Sequence, residues 1–444
     1  MITLFKRFIQ KENLVGRNEK ILLAVSGGID SMVMLDLFEK SGHDFGIAHM
    51  NFGLRGEVSD EDELFVQTVS QRCRKVFFTK KVATESYAKE KGISTQMAAR
   101  ELRYAWFDGL MEQEGYDLLA TAHHLNDSVE TVLLNLGRGT GIAGMKGILP
   151  QKGKTIRPLL FATRMQIEGY AKENNITWRE DASNASIKYD RNLVRHKVVP
   201  VMRQLNPSFE QVMGENIEKL RGVESLFGEY VELLREKLVS TENDMENLSI
   251  ELLLAQKEPK VLLYYLLKEK GFNFRQMDDV FEALESGSGK MILSQSHRLL
   301  VDREELKIEG LGQKEQGEIR ISPEETACTT DGLSFSFKKV EMQKLEGIPR
   351  DPNIAALDVQ KITFPLTLRT WQEGDWFVPL GMKGKKKLSD FLIDQKVDRF
   401  QKEKVKVLCS ATGEVIWVVG RRISEKFKLT KSSNHILLVE VTKN

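Results

Sequence analysis

The sequence predicts an α/β amino-terminal domain with a doubly wound parallel sheet, a mainly helical middle domain and a small β-rich carboxy-terminal domain. Three observations lead there. Over residues 1 to about 200, short apolar runs alternate with amphipathic ones, the pattern of strands and crossover helices. From about Pro207 to Gly310 the apolar spacing is largely helical. Beyond about residue 346, short strand-like runs return without long helices between them. At 444 residues the chain can hold two or three domains, and 41% hydrophobic residues suffice for a sizeable core. The expected divisions are 1–205, 206–310, a polar linker 311–345, and 346–444.

The elements follow in order. Met1 to Gln10 mixes basic and apolar residues without a long apolar region, so an amphipathic helix is expected there rather than a signal peptide. Strands are expected at Ile21–Val25, Phe45–Met50, Lys75–Val82, Asp117–Ala122 and Arg157–Phe161. Between them, amphipathic runs predict helices over Asp60–Arg72, Thr95–Glu114, Ser128–Leu136 and Arg164–Asn174. Such a sheet binds ligands at the carboxyl ends of its strands. In the middle region, Glu215–Leu238 and Glu258–Lys270 have helical periods. Ser286-Gly287-Ser288-Gly289-Lys290 reads as a loop, followed by strand-like pieces at Met291–Leu293, Arg298–Asp302 and Glu305–Ile308. The last region offers strands at Leu366–Thr370, Val405–Cys409, Val415–Val419 and His435–Val441.

Bulk properties exclude some functions. The net charge of +1 means that any nucleic-acid binding must come from local patches. Cys73, Cys328 and Cys409 are far apart, so no CxxC metal or redox site exists, and three cysteines in so long a chain fit a reducing cytoplasm. No run of about 18 apolar residues occurs, so no membrane span is expected.

The motif that carries most chemistry is Ser26-Gly27-Gly28-Ile29-Asp30-Ser31, placed between a strand and a helix. Backbone N–H groups at a helix start, unobstructed at the glycines, form a nest for anionic oxygens. Ser26 and Ser31 add hydroxyls, and the Asp30 carboxylate could hold a magnesium ion bridging phosphates. No lysine follows the glycines, so this is not a Walker A loop. His49 and Asn51, after the second strand, lie at the same rim, where they could read an adenine edge or merely shape a turn. Arg100 and Arg103 share a helical face and could clamp phosphate oxygens or make surface ion pairs. Asp127 and Glu130 also share a face, after His123 and His124. They could hold magnesium or orient a nucleophile, with Asn126 or Asp127 capping the helix. Arg191 and Arg195, in the run Tyr189 to Pro200, present a basic face to RNA phosphates or to solvent. Lys383, Lys385, Lys386 and Lys387 fall in a glycine-bearing basic loop suited to salt-sensitive phosphate contacts. Between Lys383 and Lys406 the chain carries nine positive and four negative charges.

The first loop resembles the pyrophosphate-binding loop of the N-type ATP pyrophosphatases, the PP-loop superfamily. The further motifs together resemble the tRNA(Ile)-lysidine synthetase family. The resemblance runs through Ser26–Ser31, His49–Gly56, Ala98–Tyr104, His123–Thr131 and Arg191–Pro200. It resumes over Arg369–Asp375, Pro379–Asp394 and Gly420–Ser424, where the string from Gly381 to Leu392 is the most specific part. It implies a PP-loop domain of the adenine nucleotide alpha hydrolase type. It further implies that ATP adenylates the carbon-2 oxygen of the wobble cytosine in an isoleucine tRNA with a CAU anticodon. Free L-lysine then displaces AMP through its ε-amine, so that the tRNA reads AUA.

By that resemblance, ATP and Mg2+ are the cofactors. Ser26, Gly27, Gly28, Ile29, Asp30, Ser31, His49 and Asn51 meet ATP, with Asp30 toward magnesium. Asp30, Arg100, Asp127, Glu130 and Arg195 form the active centre. Arg191, Arg195, Lys383, Lys385, Lys386 and Lys387 meet tRNA, with the acceptor arm on the carboxy-terminal domain. A homodimer is compatible with the sequence, which does not itself give the oligomeric state. One departure is that Phe52 stands where many relatives have the second His of a His-x-Asn-His pattern. Two alternatives stay open: another PP-loop enzyme such as a tRNA thiolase, and a non-catalytic RNA-binding protein. A thiolase needs a cysteine or cluster ligands near the loop, and only Cys73 lies in the first 300 residues.

Overall fold

The structure is a computed structural model describing residues 1–180, 190–242, 245–287, 289–312, 317–345 and 347–443. Tyr189, Ser288, four residues of the expected linker (313–316) and residue 346, where the last domain was expected to begin, lie outside the described residues. The chain divides into two compact units, Met1–Gly228 and Glu229–Asn444.

In the first unit the elements are α1 (Ile2–Lys11), β1 (Ile21–Ala24), α2 (Ile29–Ser41), β2 (Phe45–Asn51), α3 (Glu57–Arg72), β3 (Phe77–Lys81), α4 (Thr84–Lys91), α5 (Thr95–Glu114), β4 (Leu118–Ala120), α6 (Leu125–Arg138), α7 (Ile142–Met145), β5 (Gln151–Lys152), β6 (Thr155–Ile156), α8 (Arg164–Glu173), α9 (Asp190–Leu193) and α10 (Val199–Leu205). A π-helical turn, Val194–Val198, joins the last two, and α11 (Phe209–Leu238) runs on into the second unit. The sheet order is β3-β2-β1-β4-β6-β5. All pairs are parallel except the β5–β6 hairpin at one edge. The expected doubly wound sheet is therefore present.

Alternation along β1 makes the layers. Ile21 and Leu23 join Met32, Phe38, Ile167 and Phe5 on one face, while Leu22 joins Phe107, Leu110 and Met111 on the other. A strand buried on both faces must be apolar throughout, which is why Ile21–Val25 is so legible. Each fully buried Leu or Ile contributes about 1.5–3 kcal/mol. At Gly46 a Cβ would lie 2.1 Å from the Tyr116 hydroxyl, so β2 passes this ring only as glycine. One strand falls elsewhere than expected. Arg157–Phe161 is a turn with a single bridge from Leu159 to His124, and the pairing strand is Thr155–Ile156 just before it. Pro158 supplies no N–H for a ladder.

In the second unit, α12 (Ile250–Leu254), α13 (Pro259–Leu267) and α14 (Gln276–Ser286) accompany an antiparallel sheet of β7 (Val239–Glu242), β8 (Met245–Ser249), β9 (Met291–Leu293), β10 (His297–Asp302) and β11 (Glu305–Gly310), ordered β7-β8-β11-β10-β9. The helical middle region thus also holds a five-stranded sheet, two of whose strands, β7 and β8, the sequence reading lacks.

The expected linker 311–345 is corrected more sharply. It contains β12 (Ile319–Ile321), β13 (Ala327–Thr330) and β14 (Leu333–Glu341), which are built into the sheets that follow. Those sheets are completed by β15 (Ile354–Asp358), β16 (Leu366–Thr370), β19 (Lys406–Cys409), β20 (Val415–Val418), β21 (Arg422–Ile423) and β22 (His435–Lys443). Between them lie β17 (Trp376–Phe377), β18 (Lys386–Lys387), α15 (Leu388–Asp394) and α16 (Arg399–Lys404). The five-stranded order is β12-β16-β19-β20-β21 and the four-stranded order β13-β14-β22-β15. The two sheets close on one core around Phe335, Phe337, Leu368, Trp417 and Val439. On the far side of β19 and β20, Leu388, Phe391 and Leu392 seat α15 and with it the basic loop. Among the described residues, no helix is long and apolar enough to cross a membrane.

Candidate active site at the carboxyl edge of the sheet

The Ser26–Ser31 loop leaves β1 at its carboxyl end and opens α2. Gly27 has φ +88°, a left-handed conformation that glycine adopts without strain, and its carbonyl accepts from the Arg179 N–H. The Ser31 hydroxyl donates to the Gly28 carbonyl at 2.8 Å and accepts from the Ser26 N–H at 3.2 Å. Ser26 Oγ lies 3.2 Å from Ser31 Oγ and accepts from the Gly28 N–H at 3.4 Å. The serines hold the turn, while exposed Ser26 keeps an open side. Ile29 is not a polar contact, since its side chain is buried in the core.

Asp30, in the first turn of α2, accepts from Arg164 Nη1 at 2.8 and 2.7 Å. His124 Nε2 lies 3.8 Å from one Asp30 oxygen and 3.6 Å from Asp127 Oδ2. Burial pushes the Asp30 pKa above its ordinary value, against the opposing pull of His124 and Arg164. Asp127 Oδ2 accepts from the His124 backbone N–H at 2.9 Å, so the expected cap falls to Asp127. Asn126 instead joins α8 to α11, accepting from the Arg164 N–H and donating to Glu210. Asp127 stays below the usual carboxylate range: burial alone would raise its pKa, but His124, Arg191 and His123 overcome that.

Glu130, 2% exposed, accepts from Arg191 Nε at 2.8 Å and from Arg195 Nε and Nη2 at 2.7 and 3.0 Å. The same guanidiniums reach Asp127 Oδ1 at 3.0 and 3.4 Å. Asp30, Asp127 and Glu130 thus face Arg164, Arg191 and Arg195, three charges against three. Arg191 and Arg195, expected to present a basic face to RNA or to solvent, both turn onto these carboxylates while staying 39% and 34% exposed. Arg195 sits in the π-helical turn Val194–Val198, a local distortion that recurs at functional sites.

Other expected residues fall at different distances from this cluster. His49 is buried, its Nδ1 2.9 Å from the Val25 carbonyl, and burial lowers its pKa. Asn51, 1% exposed, donates to Asp60 and Glu63 and accepts from the Gly53 N–H, so its amide is fully engaged in the turn. Arg100 is exposed and lies over the Tyr104 ring at 4.9 Å, while Arg103 lies over Phe52 at 5.0 Å. Arg100 has no ion pair among the described residues. His123 is paired with Thr121 Oγ1 at 3.0 Å, and burial pushes its pKa down to about 4.

Within the second unit, Lys385 Nζ lies 3.7 Å from the Trp376 ring centroid and Lys386 pairs with Asp394. Exposed Lys383 and Lys387 have no ion pair among the described residues.

Arg164 and Arg157 are residues the sequence reading missed. The Thr163 hydroxyl accepts from the Gln166 N–H and the Gln166 side chain accepts from the Thr163 N–H, a capping box visible in the sequence. It could have put Arg164 at a helix start on the same edge as Asp30. The cysteines stand apart. Cys73 follows α3, where a crossover helix ends at the opposite edge of the sheet, and burial and Glu39 raise its pKa away from thiolate.

The chain has clear relatives. A family model described as a PP-loop domain matches residues 2–202. Models described as a TilS substrate binding domain and a TilS substrate C-terminal domain match residues 241–311 and 366–439. Over 439 residues the chain is 40% identical to a tRNA(Ile)-lysidine synthase of Parabacteroides distasonis, covering 99% of each chain. Over 437 residues it is 35% identical to that of Bacteroides thetaiotaomicron, covering 98% of each. Over 429 residues it is 37% identical to that of Porphyromonas gingivalis, covering 94% of this chain and 93% of the relative.

Proposed function

The chain belongs to the tRNA(Ile)-lysidine synthase family, and from that premise we propose how its residues share the reaction. The enzyme is an ATP-dependent ligase that modifies an isoleucine tRNA. The proposed sequence has two steps. The carbon-2 oxygen of the wobble cytosine attacks the α-phosphorus of ATP and pyrophosphate leaves. The ε-amine of free L-lysine then attacks carbon 2, AMP leaves with the oxygen, and the amine gives up a proton.

The observation that carries the reading is the convergence at one sheet edge of the Ser26–Ser31 loop with the cluster around Asp127 and Glu130. Backbone N–H groups of the loop receive phosphate oxygens, with the Ser26 hydroxyl beside them. Asp30 is a hard oxygen donor that suits magnesium, with Asp127 near enough to raise its pKa. Among the described residues no group of three such donors occurs, which agrees with an ion completed by phosphates and water. Bound there, magnesium would neutralise phosphate charge. For that, Arg164 must release Asp30. Exposed Arg100 is free to stabilise charge developing on the α-phosphate. Glu130 is too buried to touch substrate, so it positions Arg195 and Arg191.

Exposed Lys383 and Lys387 are proposed to meet tRNA phosphates, with Lys385 and Lys386 beside them. The domain divisions at 205, 310 and 345 would be revised to include the strands of 319–341 in the carboxy-terminal domain. Work on tRNA implies a cytoplasmic location, and a homodimer would be read by light scattering.

The test incubates the protein with ATP, Mg2+, labelled lysine and unmodified isoleucine tRNA bearing CAU. Lysine in the tRNA, lost on Asp30→Ala, is the expected result. ATP binding without incorporation would refute the reading.

A further inference from the structure

A second group of charges lies on the same edge, and it is not balanced. Arg157 directly follows β6 and is 9% exposed. Its Nη1 donates to the Leu149 carbonyl at 2.8 Å, and its Nε is buried without any hydrogen-bond partner. Among the described residues no carboxylate pairs with it. Its charged neighbour is another cation, Arg100, and His123 on β4's exit feels its charge. Tyr104 adjoins both arginines, its ring under Arg100 and its side chain close enough to Arg157 to influence its charge. His123, neutral at pH 7, adds no further positive charge, and the nearby Asp127 carboxylate is already paired with Arg191 and Arg195.

Burying a guanidinium without a counter-charge is costly, and proteins rarely keep one that has no anionic partner. The fork of an arginine is shaped for a carboxylate, and the orphaned Nε belongs to an edge that a carboxylate takes side-on. We propose that Arg157, supported by Tyr104, receives the α-carboxylate of the free amino-acid substrate. The assignment rests on the reading that lysine is the second substrate, and it names where that substrate is held.

Two observations favour a carboxylate over a phosphate. In the sheet order, β4 separates β6 from β1, which puts Arg157 about 10 Å from the strand that carries the phosphate loop. Arg157 is also too enclosed for an RNA backbone, whereas a small carboxylate fits a buried fork. On this placement the amino acid enters beyond His123 and Asp127, with its ε-amine extending toward the cluster while ATP occupies the other side.

The test compares L-lysine with L-lysinamide, which lacks the carboxylate, as the amine incorporated into tRNA. The native enzyme is expected to prefer lysine by about 10- to 100-fold in kcat/KM, the effect of one charge-assisted pair. Arg157→Gln should raise the KM for lysine by a similar factor and leave lysinamide nearly unchanged, so the preference collapses. Pyrophosphate release from ATP and tRNA before lysine is added should stay native. A merely structural arginine would harm both amines alike and keep their ratio. Equal use of the two amines by the native enzyme overturns the assignment without any variant. A raised KM for ATP with the lysine preference intact assigns the arginine to phosphate instead. If Arg157→Gln does not fold, Tyr104→Phe should give a smaller loss of the same preference, and an unchanged preference there counts against the site. Incorporation of neither amine by the native enzyme overturns the reaction itself, a result distinct from loss of preference.

Discussion

Glu130→Gln separates a positioning carboxylate from a bystander. Gln keeps the shape but loses the charge and puts an NH2 where one oxygen accepted from a guanidinium. Three bonds of 2.7–3.0 Å end on this carboxylate, so at least one becomes donor against donor. Breaking a buried ion pair costs about 3–5 kcal/mol. Arg191 and Arg195 are 39% and 34% exposed and keep Asp127, so solvent and the second carboxylate reduce the loss to about 2–3 kcal/mol. For a compact unit spanning Met1–Gly228 that is a fall in Tm of about 4–12 °C. Freed from Glu130, Arg195 no longer points at a fixed place, and turnover should fall by about 10²–10³ if it stabilises developing charge. Thermal melts and single-turnover lysine incorporation read the two effects. In the double variant with Arg195→Ala the losses should be less than additive, with coupling of about 1 kcal/mol or more. Strict additivity, or native melting with native turnover in Glu130→Gln, would refute the argument that Glu130 acts through Arg195.

Arg100→Ala should cut turnover about a hundredfold or more with no change in Tm, because its side chain is exposed and only stacks on Tyr104; a near-native rate removes the role. The His123 pKa falls from 6.5 to about 4 on folding, so between those values the unfolded chain binds the extra proton. Stability from this group is complete above about pH 6.5 and declines as pH falls, by about 2–3 kcal/mol at pH 4.5, and urea titrations of His123→Asn should lack that component. Lys383→Ala and Lys387→Ala should each lower the salt slope of tRNA binding by about one and leave ATP binding alone. Lys386→Ala should do less, since Asp394 already holds that charge; equal slopes in all three would refute the distinction.

The parallel sheet was legible because its central strands are buried on both faces, so Ile21–Val25 reads as an unbroken apolar run followed by glycines. The same criterion hid the strands of 319–341. Along β14 only Phe335 and Phe337 are deeply buried, and Lys338, Lys339 and Glu341 make the segment polar on average. Its partner β22 is more than ninety residues away, and such pairing leaves no local trace. Thr155–Ile156 was displaced by a few residues because a two-residue strand has too little pattern to compete with the apolar Leu159–Phe161 beside it.

The site was legible as loops and not as pairs. Every motif that follows a strand could be assigned to the carboxyl edge, since topology alone puts it there. Partner choice is another matter. Arg191 and Glu130 are 61 residues apart, and from the sequence a surface stripe of arginines has the same spacing as one turned onto buried carboxylates. The structure decides between them through charge balance. Around Asp30, Asp127 and Glu130 each carboxylate has a guanidinium, so this part of the edge is complete and becomes reactive only when a ligand displaces a pair, as Arg164 must be displaced from Asp30. Around Arg157 and Arg100 the balance fails, and there a ligand supplies the missing charge. The unbalanced half therefore predicts a response to small anions. Added acetate should raise the KM for lysine competitively by occupying Arg157, and purely noncompetitive inhibition would count against that placement.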